Sequence, residues 1–403
     1  MCNDKIGNVY VTGDFSGYSV NLGTSNLYNT NASKSEIFLA KYDTFGNLLW
    51  AISEGGTQNY FSTGIAIDPF GNIVLTGHFH GFSTIGNLPL TDTDPNDGIT
   101  EVDFFIAKYD PSGNALWVTK GYGSYTEKIT SVKTEMNGNI TVSGVFESPT
   151  LSLGNTVLTN SGMTDVFIAR YGPSGNLLWA NQASGDNVDL STGLALDAQG
   201  NAYLTGDFRS ALLNVGTISI SRSNPGFTEA RDMFLIKYNL YGSVQWIKKS
   251  AGTPTSNNLV YCDAFGNVIV AGNYLYPINL DNNYLYPPHN FVGDNIYLVK
   301  YDVSGNYLWS KNATPLTSIS DIAGDPEGNI YLAGTNYADF TDFATVGDFT
   351  LYNQGAWDAF VARYNTMGNA SWAILAGGDG FDGTNKISMD VFGNLFLAGF
   401  YEG

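Results

Sequence analysis

Two residue types that organise many small folds and active sites are nearly missing from these 403 residues: there are two cysteines and three histidines. Cys2 and Cys262 are too few for a disulfide framework. Cys262 stands where other repeats carry Ile67 or Leu196, so it reads as a buried small hydrophobe. Of the histidines, His78 and His80 alternate on one strand face, an arrangement that suits a metal pair. His289 is remote in sequence, and no third ligand can be named. Charge is scarce as well: charged residues make up 14% of the chain, against roughly 25% in an average globular protein. What charge exists is acidic, with 18 Lys and Arg against 37 Asp and Glu and a net charge of −19. Such a surface repels phosphate backbones and anionic lipid, which argues against nucleic acid and membrane surfaces as partners. No apolar run approaches the length that crosses a bilayer as a helix. Met1 to Ile6 lack the basic start and apolar stretch of a signal peptide.

Glycine (47), tyrosine (25) and phenylalanine (24) are abundant, a composition of turns and strands. Two words recur along the whole chain. The first, Gly7-Asn8-Val9-Tyr10-Val11-Thr12-Gly13, returns at Gly71, Gly138, Gly200, Gly266, Gly328 and Gly393, every 62–67 residues. The second, Phe38-Leu39-Ala40-Lys41-Tyr42-Asp43 followed by Gly46-Asn47 and Trp50, recurs with Trp117, Trp179, Trp246, Trp309 and Trp372. Six of the seven tryptophans belong to it; Trp357 is the other.

Each repeat reads as two tight hairpins. An acid precedes the first-word glycine by three residues (Asp68, Glu135, Asp197, Asp263, Asp325, Asp390), and Asp43, Asp110, Asn239, Asp302 and Asn365 do the same in the second. Gly172 breaks the pattern once. Asp or Asn at the first turn position bonds the turn's own backbone, and glycine takes the left-handed conformation that closes it. Much of the acidity is thereby explained without a ligand. The strands around these turns are apolar on both faces, as in Ile73-Val74-Leu75. Antiparallel strands covered on both sides and repeated in series fit the blades of a β-propeller better than a parallel solenoid. The expected fold is therefore all-β, a single propeller domain over residues 1–403 with about six blades. Pieces such as Leu153-Gly154-Asn155-Thr156-Val157-Leu158, with counterparts at Ile85-Gly86-Asn87, Val215-Gly216-Thr217 and Val346-Gly347-Asp348, read as short arms between the second and third strands, where specificity can reside. Asp4 to Gly7 is already a turn, and the last residues follow a second strand, so the segment reads as truncated at both ends. The strand around Lys386 to Asp390 is expected to clasp the first blade beside Val9 to Thr12, giving six blades, with seven in a longer parent.

The words Phe-Ile-Ala-Lys-Tyr-Asp, Leu-Trp-Ala and Gly-Asn-Val-Tyr-Val-Thr-Gly resemble the SBBP β-propeller repeat of secreted or surface proteins of Bacteroidetes-type bacteria. The resemblance covers nearly the whole chain and implies a propeller, an extracellular or cell-surface setting and no defining catalytic residue. Proteins of this kind often carry a C-terminal sorting domain, which is not among these residues. The Tyr42-Asp43, Gly46, Trp50 block is also similar in architecture to the tryptophan-docking repeats of quinoprotein propellers, without a cofactor-specific pattern; no cofactor is expected.

Four features compete as sites. Lys41, Lys108, Arg170, Lys237, Lys300 and Arg363 either form a basic ring for an anion or pair with the recurring acids Glu36, Asp103, Asp165, Asp232 and Asp358; a charge present in every repeat favours pairing. Asp92-Thr93-Asp94-Pro95-Asn96-Asp97-Gly98 resembles the start of a calcium loop, but Pro95 interrupts it and glycine falls one place late. The histidines are the third. The fourth and most asymmetric region carries Tyr274, Tyr276, Tyr284 and Tyr286 among prolines, including Pro287 and Pro288, and offers rigid stacking faces for a sugar or peptide, or else packs an arm. No Ser-His-Asp order, nucleophile elbow, phosphate loop or paired-cysteine site is evident, and a spatial carboxylate pair is not legible in one dimension. The expected function is noncatalytic recognition, adhesion or scaffolding toward a protein or glycan, as a monomer or part of a longer multidomain chain. The rivals are a glycan-acting hydrolase or lyase at a channel mouth and a plain structural spacer.

Overall fold

Alternating apolar strands and Asp-initiated turns leave little choice of local structure, and the computed structural model is all-β among its described residues. These are residues 1–403 except 30, 57, 92–101, 225, 227–229, 253, 288–293, 315, 317, 338–342, 391–392 and 403. The Asp92–Gly98 loop, Pro288 and His289 thus lie outside them.

Among the described residues six antiparallel blades follow one another. Blade 1 comprises Cys2–Asn3, Val9–Phe15, Glu36–Tyr42 and Leu48–Gly56; blade 2, Tyr60–Ile67, Ile73–Phe79, Asp103–Tyr109 and Ala115–Gly121; blade 3, Glu127–Thr134, Ile140–Phe146, Asp165–Tyr171 and Leu177–Ser184. Blade 4 comprises Asp189–Leu196, Ala202–Phe208, Asp232–Tyr238 and Val244–Ala251; blade 5, Pro254–Cys262, Val268–Tyr274, Asn295–Tyr301 and Tyr307–Thr314; blade 6, Ser318–Gly324, Ile330–Tyr337, Trp357–Tyr364 and Ala370–Ala376. A two-stranded pair, Gly383–Met389 with Leu395–Phe400, follows. This is the blade architecture of a β-propeller. The chain divides into two compact units, residues 1–191 with 214–219, and residues 192–213 with 220–403.

Turn chemistry builds each blade as the sequence predicts. At the blade 2 turn the Asp68 carboxylate accepts from the Phe70 and Asn72 amides, both at 2.9 Å, and from Asn72 Nδ2 at 2.8 Å. Gly71, at φ 85°, returns its amide to Asp68 O. Between third and fourth strands the register slips by one residue, as at Lys108/Tyr109 and Arg170/Tyr171, the mark of a turn closed by a bulge. Burial would raise the Asp68 carboxyl, but hydrogen bonds from Asn72 and Lys108 outweigh it and hold the value low.

Cores form between successive blades. Tyr10, Ile37 and Leu39 of blade 1 pack with Ile73, Leu75, Phe105 and Ala107 of blade 2. Blades 2 and 3 share Phe104, Ile106, Ile140, Val142 and Phe167. In the second unit, Tyr203 and Leu235 meet Val268, Val270 and Tyr297, and Ile296 and Leu298 meet Ile330 and Leu332. Four third strands, those of blades 2 to 5, are buried at every position, which explains why their sequences show no polar face.

Four of the repeat tryptophans tie their blade to the next repeat. Trp50 Nε1 donates to Pro111 O at 3.3 Å and Trp117 Nε1 to Pro173 O at 3.0 Å. Trp246 and Trp309 do the same to Val303 O and Thr366 O. Their rings lie against the turn glycines Gly113, Gly175, Gly305 and Gly368, where a side chain would displace them.

Three expectations change. The arms do lie between second and third strands, but several of them extend the preceding blade. Gly55 and Gly56 pair with Thr84 and Ser83, Ala183 and Ser184 with Val215 and Asn214, Ser250 and Ala251 with Leu280 and Asn279, and Ala313 and Thr314 with Val346 and Thr345. The expected clasp beside Val9–Thr12 is replaced: Cys2–Asn3 pairs with Val9 and Tyr10, while Gly383–Met389 is held by its own hairpin partner Leu395–Phe400 through the Asp390–Gly393 turn. A hairpin between neighbouring strands outcompetes a distant pairing because it closes the shorter loop. Cys262 is half-buried rather than buried, packed at the margin of the core around Tyr203 and Val268.

Candidate functional site

The third-strand cations are not an anion-binding ring. Lys108 and Lys300 are 3% exposed and Arg170 is 1% exposed. Lys108 Nζ lies 2.9 Å from Asp68, Arg170 Nε 2.8 Å from Glu135, Lys300 Nζ 2.8 Å from Asp263 and Arg363 3.8 Å from Asp325. Lys41 and Lys237 lie over the rings of Tyr10 and Tyr203 at 5.0 and 5.1 Å. In these four blades pairing is therefore correct, but the partner is the acid of the first turn, not Asp103, Asp165 or Asp358 or their counterparts Glu36 and Asp232. The reason is strand period: those acids stand five residues before the cations, and an odd separation puts two side chains on opposite faces of a strand.

The third-strand acids instead bind loop backbone. Asp165 accepts from the Ser161 amide at 2.7 Å and the Gly185 amide at 3.1 Å. Asp232 accepts from the Ser223 amide and hydroxyl, both at 2.7 Å, and Asp358 from the Gln354 amide at 2.6 Å. Burial pushes the Asp165 carboxyl up to about 6. A second buried acid, Glu127, opens the first strand of blade 3 and is fully buried. Its Oε1 accepts from the amide and hydroxyl of Ser148. Burial, reinforced by the nearby Asp103 charge, pushes Glu127 up to about 8. A carboxyl with so high a value suits a general acid, but one sealed from solvent cannot meet a substrate.

Glu127 has a measurable consequence. Its folded value lies above the unfolded one, so folding takes up a proton between about 4.5 and 8. Its contribution to stability is fully present below the unfolded value and is lost as pH rises through the folded one. The thermal midpoint should therefore fall from pH 6 to pH 9, and Glu127→Gln should flatten that slope and raise the midpoint at pH 9, on the order of 5 °C. Parallel slopes for the two proteins in a calorimetric pH series would refute this.

The His78 ring lies tilted against that of Phe61 at 5.1 Å, and burial lowers its imidazole to about 4. Among the described residues no group of three or more His, Cys, Asp or Glu side chains is arranged to hold a metal ion.

The tyrosine region divides. Tyr274 ends the second strand of blade 5 and is fully buried. It meets Tyr297 edge-on at 6.4 Å and donates its hydroxyl to Tyr286 O at 3.3 Å. It is a brace in the core, not a stacking face. Tyr276, Tyr284 and Tyr286 are exposed at 61%, 58% and 62%, and the rings of Tyr284 and Tyr286 stack at 6.2 Å with 21° between planes. They are carried by an arm, Ile278–Leu280 with Asn283–Leu285. Asp281 and Asn282 have φ of 54° and 66°, the left-handed pair of a two-residue hairpin turn. The arm is fixed on blade 4 by strand pairing and by Lys248–Asp281 at 2.7 Å. The result is a preformed aromatic platform on a rigid hairpin. Its stacking was beyond the sequence; the parity of Tyr284 and Tyr286, two apart on one strand face, was the available signal.

No protein-family model matches the chain. It is 26% identical, over 94% of its length, to an uncharacterized WD repeat-containing protein of Acanthamoeba polyphaga mimivirus. It is 23% identical, over 88% of its length, to the regulatory protein FlaEY of Caulobacter vibrioides. The chain spans only 32% and 34% of those two proteins. Among solved structures it is similar to a protein of unknown function from Bacteroides caccae (10% identity, 91% of this chain and 94% of that one, TM-score 0.39). It is also similar to the rhamnogalacturonan lyase YesW (12% identity, 83% and 72%, TM-score 0.31).

Proposed function

We propose that this chain is a noncatalytic recognition module, at the cell surface or outside the cell, that binds a glycan or an extended peptide on the stacked platform of Tyr284 and Tyr286, with the exposed Tyr276 on the same arm segment. The observation that carries this reading is the stacked, solvent-facing pair Tyr284–Tyr286 on a hairpin braced from below by Tyr274. Exposed aromatic rings held in place lose little conformational freedom on binding and offer flat faces to sugar rings and to proline or aromatic side chains. The acidic surface favours neutral or cationic ligands over anionic ones. The buried acids support a structural role, because each is bonded to its own loop.

Glycan and peptide arrays probed with the purified protein test the proposal. A ligand class should emerge whose affinity falls at least tenfold in Tyr284→Ala and in Tyr286→Ala while Tyr18→Ala, at another exposed tyrosine, leaves it unchanged. A ligand bound equally well by both platform variants would overturn it.

A further inference from the structure

The tryptophan outside the repeat, Trp357, has no counterpart in the other blades, and neither do the rings it touches. It opens the third strand of blade 6, six residues before Arg363; the residues six before Lys41, Lys108, Arg170, Lys237 and Lys300 are Ser35, Val102, Thr164, Arg231 and Asp294. Tyr337, three residues after Gly334, stands where the other blades carry Ser16, His80, Glu147, Arg209 and Leu275. The backbone at this place is common to the repeats: the Asp382 amide donates to Trp357 O, as those of Tyr60, Glu127 and Asp189 donate to Ser35 O, Val102 O and Thr164 O. Only the side chains differ. Side chains that the fold requires recur from blade to blade, so a cluster confined to one blade calls for another reason.

The cluster is ordered. Trp357 and Tyr337 are paired across their strands, with ring centres 4.5 Å apart and planes at 38°. Phe381 meets the indole edge-on at 4.9 Å. Beside Trp357 and Tyr337, both half-buried, is a cavity of 360 Å³. It lies within the second compact unit, where Gly383–Met389 packs on blade 6. Ser318, Ser320, Thr335 and Thr384 line it, with the exposed Asn385 and the ring of Phe400. Ser320 Oγ and Thr384 Oγ1 lie 2.9 Å apart, and they donate to Ala333 O at 3.2 Å and Gly334 O at 2.9 Å, which fixes both hydroxyls. Among the described residues none of the lining side chains is charged.

We propose that this cavity binds a neutral mono- or disaccharide, at a site that shares no residue with the Tyr284–Tyr286 platform. Its volume falls at the small end of the range of small-molecule sites. A sugar ring has an apolar C–H face and a rim of hydroxyls. The indole takes the face, and the serine and threonine hydroxyls and the Asn385 amide exchange hydrogen bonds with the rim. Tyr337 and Phe381 hold the indole in place, so little side-chain freedom is lost on binding. An ionised ligand would leave water without a counter-charge in the lining. The lining also holds no carboxyl pair to cleave a glycosidic bond, so the site binds without hydrolysis. This goes beyond the platform reading and stands whether or not the platform binds.

The test is calorimetric titration of the 403-residue protein with maltose, cellobiose, lactose, mannobiose and xylobiose, and with glucuronic acid and glucosamine as charged comparators. At least one neutral sugar should saturate and shift the tryptophan emission. Its affinity should fall at least tenfold in Trp357→Ala and in Asn385→Trp, and stay unchanged in Tyr284→Ala and Tyr286→Ala. Asn385→Trp fills the cavity from an exposed position, and it carries the test if Trp357→Ala fails to fold. Absence of saturable binding by every neutral sugar would overturn the proposal, as would equal binding by Asn385→Trp or a charged comparator that binds as tightly. A sugar lost in Tyr284→Ala and kept in Asn385→Trp would support the platform and overturn the cavity. One lost in Asn385→Trp and kept in Tyr284→Ala belongs to the cavity and does not count against the platform.

Discussion

Arg170→Met should cost the protein about 3–5 kcal/mol, among the largest losses available from one side chain. Arg170 is 1% exposed. Its Nε lies 2.8 Å from Glu135 and donates to Thr141 Oγ1 at 3.0 Å, with the guanidinium 5.2 Å from the centre of the Trp179 ring. Removing it leaves the Glu135 carboxylate, whose side chain is 8% exposed, as a buried charge without its counter-ion. The penalty is that of desolvated charge more than of lost attraction. Two further variants separate these terms. Arg170→Met combined with Glu135→Gln should recover much of the loss, because the orphaned charge is gone. Lys248→Ala, which breaks a pair of similar length at 2.7 Å but with side chains 23% and 36% exposed, should cost less than about 1 kcal/mol. Denaturant unfolding of the three proteins gives the comparison. A single variant as stable as the parent would mean that the blade relaxes to admit water, and would remove the ion pairs from any account of stability.

Gly144→Ala should be the second severe substitution, costing about 3 kcal/mol or more. The added methyl would run into the Lys128 carbonyl on one side and the Phe167 ring, at 2.5 Å, on the other. The carbonyl belongs to the neighbouring strand and cannot move without breaking the pairing of Ile129 with Gly144. Adding Phe167→Ala therefore should not rescue the fold, since it frees one wall only. The control is Gly154→Ala in the arm turn, where φ is 59° and nothing lies within 4 Å. It should cost only the about 1 kcal/mol of a left-handed alanine. Equal effects at the two sites would show that conformational freedom, not close approach, is the reason for glycine in the strand.

The features that came through from sequence are those enforced over a few residues. The turn from Asp68 to Asn72 is closed by bonds between residues four apart or fewer, so five letters suffice to specify it. Asp103–Tyr109 shows no polar face because it is buried on both, and this too is readable from one segment. The tryptophan of each repeat was visible as a recurrence, but its acceptor, a carbonyl 56 or more residues away, was not. The cation partner was within reach: five residues between Asp103 and Lys108 already excludes that pair by strand parity. The candidate site was half legible. Tyrosines and prolines mark the arm, yet Tyr274 and Tyr276, two positions apart, are fully buried and 61% exposed.

By itself the sequence determined the repeat, the two turns of each blade and the apolar faces that force blades to stack, because turn hydrogen bonds and strand periodicity act locally. Tertiary structure decided which surfaces remain for function. Arm hairpins such as Ile278–Leu280 with Asn283–Leu285 attach to the blade before their own, which lifts Tyr284 and Tyr286 into solvent and draws Tyr274 into the core. These outcomes depend on which strand edge is free and which neighbour covers a face, quantities set by contacts between residues far apart in the chain, where several pairings satisfy the same local pattern and packing selects one.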